Sequence, residues 1–498
     1  MDGVFQNELV KELVEKYRVL WSIDHAKALM AWDNETYMPK GGVEERAMAM
    51  ANLSTLEQKL MLDPDFVSLL ERAEGAENLN EYERGVLRVL RRNIDYLRKI
   101  PPEIIFEIAK TSQEAVQIWD EARRKNDFEK FRPYLEKLSS LAREVAEKLG
   151  YEDHPYSALL DLHEEGLDIK KADRIFDEVI PASKKILEKV REDNLFPDTH
   201  PLEEAKYETS AMEKVNRELL DLLGYSWERG RLDVSPHPFT ITLGIGDVRI
   251  TTRYEGFDFK RAMFSTIHEF GHALYELQVD ERLKMSPIAG GVSLGIHESQ
   301  SRLMENIIGR SRAFVSLIRP LLEKHLDFVR DYDDDELYRY FNTVKPGLIR
   351  VDADELTYNF HIYLRYKLEK LLIAGEIAVG DLPELWNEEM ENLLGIRPTT
   401  YSEGVLQDIH WSHASFGYFP TYTLGNVVAG QIWTEIVKEI DFEDTVRNGK
   451  FEEIYGFLKE KIHRWGGTHS PQELLKRNFG RGYDPESLIA YLKQKYTG

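Results

Sequence analysis

Apolar residues recur at three- and four-residue spacing along almost the whole chain, and this rhythm limits the possible folds more than any other feature. Val10, Leu13, Val14, Tyr17 and Leu20 recur at three- and four-residue spacing, as do Leu87, Val89, Leu90, Ile94, Tyr96 and Leu97. Similar amphipathic stretches cover 102–126, 128–149, 168–192, 202–225, 258–279, 296–329, 352–374, 421–440 and 450–465. Pro101-Pro102, Gly150, Pro181, Pro201, Pro346-Gly347 and Gly466-Gly467 stand where helix ends are expected. One segment departs from the pattern. Pro238 to Tyr254 alternates β-branched residues around Gly244-Ile245-Gly246, which predicts a hairpin. Such an edge suits pairing with an extended peptide, and suits a simple packing role equally well. The expected fold is mainly α, a large helical unit with a small β-hairpin or sheet. No repeat, low-complexity tract or Pro/Ser-rich linker marks a boundary, so residues 1–498 read as one unit, at most divided into two helical lobes.

The charge balance narrows the partners. The 498 residues carry 65 Lys and Arg against 88 Asp and Glu, a net charge of −23, which disfavours nucleic acid and anionic membranes. A hydrophobic fraction of 42% is enough for a folded core. There is no cysteine, which removes disulfides, thiolate zinc fingers, a Cys nucleophile and Cys-ligated iron–sulfur clusters. Any transition metal must therefore be held by His, Asp or Glu. Abundant Glu, Lys and Arg without Cys also fits a heat-adapted protein. The first residues lack the basic and apolar regions of a secretory leader. The uncharged stretch Ile409–Trp433 is interrupted by Ser412, Ser415, Pro420, Asn426 and Gln431, so it reads as packed interior and not as a membrane span. A soluble cytoplasmic protein is expected.

The chemistry-bearing motif is His268-Glu269-Phe270-Gly271-His272. On a helix, residues four apart share a face, so both imidazoles can reach one metal ion. Glu269 lies beside His268, where it can contact a metal-bound water whose pKa the ion lowers towards ~7. Phe264, Ile267, Phe270 and Leu274 can anchor such a helix in a core. By contrast, His163-Glu164 has no second His at the right spacing and reads as polar surface.

A catalytic site needs a third protein ligand and one open position. Gln278 and Arg282 stand where an extended three-histidine motif would continue, which excludes that arrangement. The next candidates lie in Gly295-Ile296-His297-Glu298-Ser299-Gln300-Ser301-Arg302 and just beyond it. Glu298 is preferred, with Glu305, one heptad further on roughly the same face, as the alternative.

Taken together, the motif and the later His297-Glu298-Ser299-Gln300 resemble the carboxypeptidase Taq family of thermostable metallocarboxypeptidases. Further segments match in order: Ala31-Trp32-Asp33-Asn34-Glu35-Thr36-Tyr37-Met38-Pro39, Asp247–Thr251, Ile349-Arg350-Val351-Asp352-Ala353-Asp354, and Gly404-Val405-Leu406-Gln407-Asp408-Ile409-His410-Trp411. The resemblance implies a helical metallopeptidase fold with a deep groove, its lobes flanking a cleft. It implies release of C-terminal amino acids with broad preference from peptides bearing a free C-terminus. It also implies His268, His272 and Glu298 as ligands of one divalent ion, zinc or cobalt, Glu269 as general base, and a cytoplasmic homodimer. A metallo-endopeptidase or oligopeptidase using the same metal site is the alternative.

A C-terminal exopeptidase must read a free carboxylate, which a guanidinium does with two parallel hydrogen bonds. Arg350 is the first choice, with Arg249 and Arg397 behind it. His410 and Tyr422 are the candidate donors to the developing oxyanion, with His413 and Tyr418 competing. His297, next to Glu298, is a candidate to bind substrate or to support a ligand. Glu276 and Asp280, at helical spacings from His272, are candidate partners for its second nitrogen.

Overall fold

The computed structural model describes residues 3–498. Among them the fold is mainly α, with twenty α-helices and one three-stranded sheet. The helical spacing locates Pro102–Lys125, Phe128–Leu149, Ile169–Glu192, Phe259–Leu277, Pro420–Glu439 and Phe451–Lys461 to within a few residues. It fails in informative places. The stretch 296–329 is not one helix: Leu294–Arg302 runs into a wider π turn over Leu303–Ile308, and a new helix starts at Arg312 under a Ser311 cap. The expected 202–225 shrinks to a short turn at Pro201–Glu203 and a helix at Thr209–Leu222. Pro181 does not end a helix but sits inside Ile169–Glu192, whose apolar face, including Val179, Ile180 and Ile186, is buried on both sides of it. That burial outweighs the missing N–H. Nor is His163-Glu164 polar surface. Glu164 is fully buried and accepts a hydrogen bond from the Tyr483 hydroxyl at 2.6 Å, while His163 Nε2 meets the Phe416 carbonyl at 3.1 Å.

The chain divides into two compact units, each assembled from three stretches of sequence. One comprises the chain up to Arg98, His200–Phe341 and Ile432–Gly482. The other comprises Lys99–Thr199, Asn342–Gln431 and Tyr483–Gly498. No described helix is long and apolar enough to cross a membrane.

The first unit begins with the long helix α1 (Glu8–Thr36) and carries the sheet: β1 (Leu232–Val234), β2 (Thr240–Gly244) and β3 (Asp247–Thr252). Strand β3 is central, antiparallel to β2 and parallel to β1. The sequence pattern predicts the β2–β3 hairpin but not β1, because three residues are too few to show an alternation. The outer edge of β2 is partly taken up within the protein, since His25 of α1 lies with its Nδ1 2.7 Å from the Leu243 carbonyl. Val10, Leu13, Val14 and Leu20 of α1 pack with Phe66, Leu70, Val86, Leu90 and Ile94 into one apolar cluster that also takes in Ile245, Val279, Leu283 and Ile288. Against this frame lie two further helices, α2 (Phe259–Leu277) and α3 (Leu294–Arg302). The second unit pairs Pro102–Lys125 with Phe128–Leu149, and Ile169–Glu192 with Pro485–Thr497, around the helix α4 (Tyr358–Ala374).

Candidate metal centre

Helix α2 is fixed by its apolar face. Phe264, Ile267, Phe270 and Leu274 are all buried, as the spacing predicts, each contributing about 1.5–3 kcal/mol. His268 and His272 stand beside this face, partly exposed, with their ring centroids 5.0 Å apart. Between them in sequence, Gly271 has a packing function. A Cβ there would lie 2.5 Å from the Gln300 carbonyl oxygen and 2.6 Å from the Ser301 Cα, so glycine is what lets α2 and α3 touch backbone to backbone. That close approach carries Glu298 into reach of both imidazoles.

The three side chains converge. One ligand atom from each of His268, His272 and Glu298 lies within 4.8 Å of the others. His272 Nε2 is 3.4 Å and His268 Nε2 3.6 Å from the same Glu298 oxygen, Oε2. These separations are long for a hydrogen bond. They match the edge of a tetrahedron built on metal–ligand bonds of about 2.0–2.2 Å, roughly 3.3–3.6 Å. The donor set, two imidazoles and a carboxylate, is one that binds zinc and similar divalent ions.

The outward-facing atoms are also engaged. Glu305 Oε2 meets His268 Nδ1 at 2.9 Å, so the alternative carboxylate does lie on the same face as Glu298 but holds the ligand ring from behind. Arg310 Nη2 donates to the other Glu305 oxygen at 2.9 Å. Arg302 Nε donates to Glu298 Oε1 at 2.7 Å, and the Ser301 hydroxyl to Oε2 at 3.0 Å. Glu305 itself lies in the π turn that follows Arg302. Burial alone would raise the Glu298 pKa, but Arg302 and His268 outweigh it and hold the carboxyl well below its usual range. Burial pushes His272 down to about 4, which leaves it neutral and able to ligate. His268 is raised in spite of its burial, because Glu298, Glu305 and Glu269 all favour positive charge at that point.

Glu269 is buried, and the loss of solvent raises its pKa. Its Oε2 accepts a hydrogen bond from the Thr240 hydroxyl at 2.6 Å. The hairpin therefore serves the site by aiming the carboxylate from the first residue of β2, a role that nothing in the sequence pattern of Thr240 announces. Thr240→Val should lower kcat about ten- to a hundredfold, the worth of a hydrogen bond to a charged group, with metal content unchanged. Parallel kinetics and metal analysis test this, and loss of metal from the variant would contradict it.

His297 lies between His272 and Tyr275 with its ring tilted to both, centroids at 4.8 and 5.1 Å, and meets Glu276. Asp280 is instead engaged by Arg282. Arg249 donates through Nε and Nη2 to Asp247 at 2.8 and 2.7 Å and stacks on Trp32, so its fork is already occupied. Arg397 is paired on the surface with Glu384 and Glu391.

In the second unit, Arg350 is buried. Its Nε donates to Asp408 at 2.9 Å and its Nη1 to the Tyr358 hydroxyl at 3.0 Å, while Arg365 Nε donates to the other Asp408 oxygen at 2.6 Å. Burial opposes ionisation of Asp408, but Arg350 and Arg365 together hold its carboxyl well below the usual range. Two guanidiniums share one carboxylate, which leaves an excess positive charge. The Arg350 guanidinium lies 5.2 Å from the Tyr422 ring centre, and Tyr422 brings its hydroxyl 3.3 Å from His410 Nε2. Burial drives His410 down to about 3, so it is a neutral ring. His413 is exposed, whereas Tyr418 packs against His410 with ring centroids at 5.5 Å.

Two imidazoles one helical turn apart, a carboxylate from an adjoining helix and a buried glutamate beside them define a helical metallohydrolase. Comparison with known proteins names the kind. The model for the carboxypeptidase Taq (M32) metallopeptidases matches residues 12–496, and the chain belongs to that family. It is 54% identical over 498 residues, with 100% of each chain covered, to thermostable carboxypeptidase 1 of Pyrococcus furiosus. It is 37% identical to carboxypeptidase 1 of Bacillus subtilis, with 98% of each chain covered. The solved structure of the Pyrococcus furiosus carboxypeptidase superposes with a TM-score of 0.98, covering 99% of this chain and 100% of that one. The protein is a metal-dependent carboxypeptidase, a peptide hydrolase.

Proposed function

We propose that the protein removes amino acids one at a time from free peptide C-termini, with broad preference, using His268, His272 and Glu298 to hold one divalent ion, zinc or cobalt. The observation that carries this reading is the convergence of both Nε2 atoms on one Glu298 oxygen. A bound ion supplies Lewis acidity towards the scissile carbonyl and a water that is more easily deprotonated. Glu269 takes a proton from that water and hands it to the leaving amine, while Thr240 holds its carboxylate in place. His410 and Tyr422 donate towards the oxyanion, and Arg350 receives the substrate carboxylate, with Asp408 fixing its guanidinium plane.

In this reading Arg249 is a secondary candidate, since Asp247 already holds its fork. The absence of cysteine fits a cytoplasmic setting, the many ion pairs fit thermal stability, and a homodimer is the proposed assembly.

The direct test is metal analysis coupled to mass spectrometry of one free-acid peptide and its C-terminal amide. Stepwise single-residue loss from the acid alone, abolished by chelation, is the expected result. Internal fragments would instead establish an endopeptidase. Arg350→Ala should cost on the order of a hundredfold on free-acid peptides, and Arg350→Lys should recover only part of this, because it restores charge without the fork. An equal fall on acid and amide substrates would assign carboxylate reading to another residue.

A further inference from the structure

His272 presents its Nε2 to Glu298, and its Nδ1 lies 2.7 Å from His297 Nδ1. His297 in turn places Nε2 2.8 Å from Glu276 Oε1, which also accepts from the Gly291 amide at 2.8 Å. With His272 taken as an Nε2 ligand, only one arrangement of protons satisfies every link. A ligating His272 has no proton on Nε2, so its single ring proton is on Nδ1 and is donated to His297. His297 must accept there, so its own proton is on Nε2 and is donated to Glu276. With His272 Nε2 given to the ion, a proton on His297 Nδ1 would set two protons against each other across 2.7 Å.

The surroundings are shaped for this chain of bonds. A Cβ on Gly291 would sit 2.6 Å from His297 Cδ2, 3.0 Å from the Tyr275 ring and 3.1 Å from Glu276 Oε1, so the loop can close over the relay only with glycine at that position. Glu276 is itself buried, and its Oε1 is shared between the His297 ring and the Gly291 amide. The two imidazole ligands are thus supported differently: His268 directly by the Glu305 carboxylate, His272 through a second imidazole.

We propose that His297, seated on Glu276 and roofed by Gly291, is a positioning residue that fixes the tautomer and orientation of His272, and is not a substrate-binding group. The proposal rests on the reading of His268, His272 and Glu298 as ligands. It is tested by titrating the metal-free full-length protein with Co2+ against a competing chelator while following the visible absorption of the bound ion.

His297→Ala should weaken Co2+ binding about ten- to a hundredfold and shift the absorption band. His297→Gln, whose amide can accept from His272 and donate to Glu276, should recover most of the affinity. Gly291→Ala removes no polar group, yet should weaken binding in the same direction by displacing the His297 ring. His268→Ala serves as the reference and should abolish the band. Unchanged affinity and spectrum in His297→Ala, with only KM raised, would overturn the relay and return His297 to a substrate-binding role. Equal Co2+ binding by the unmutated protein and His268→Ala would overturn the ligand assignment, and the relay with it.

Discussion

Glu269→Gln is expected to keep its metal and lose about three orders of magnitude in kcat. The substitution is nearly isosteric, and the Thr240 hydroxyl that now donates to Glu269 Oε2 can donate equally to an amide oxygen. His268, His272 and Glu298 are untouched, so the variant separates binding the ion from moving the proton. Glutamine cannot accept a proton from water at neutral pH or return one to an amine. Turnover of a free-acid peptide, measured alongside metal content, decides the matter. A fully loaded Glu269→Gln protein with near-normal turnover would remove Glu269 from the mechanism.

Glu298→Ala is expected to lose the metal altogether, and with it all measurable activity. It deletes one of three ligands and also strips Arg302 of its 2.7 Å partner, leaving it the longer 3.5 Å contact to Glu305. Removing one partner of such a buried pair costs about 3–5 kcal/mol in stability, so the melting temperature should fall as well. Glu305→Ala makes the useful contrast, since Glu305 touches His268 at Nδ1, away from the side that faces Glu298. It should weaken metal binding without abolishing it. If dialysed Glu298→Ala retained stoichiometric metal while Glu305→Ala did not, the two carboxylates would have to exchange roles.

Much of this was readable in one dimension, and the reasons differ from residue to residue. His268 and His272 share a helix, where spacing in sequence is spacing in space, so their convergence follows from periodicity alone. Glu298 comes from another helix, and spacing could only rank it with Glu305. The structure explains why both were plausible, for one meets the metal-facing nitrogens of the two histidines and the other the far side of the His268 ring. Gly271 stands inside the motif, but its purpose appears only where the Gln300 backbone comes against it. Thr240 carried no signal, because a threonine in a β-rich segment is ordinary until its hydroxyl is seen on a glutamate. The long helix expected over 296–329 failed because a π turn keeps the apolar rhythm while changing the geometry. Glu164 was misjudged because a glutamate's burial depends on a tyrosine 319 positions away.

The interleaving of the two units has a consequence for how the enzyme comes into being on the ribosome. The helices bearing His268, His272 and Glu298 leave the exit tunnel before the stretch from Ile432 to Gly482, which completes their unit, has been translated. At about 5–20 residues per second, the nascent chain must hold its ligands without a finished scaffold for some seconds to tens of seconds. The three candidate ligands thus exist in the growing chain well before the segment that completes the scaffold around them.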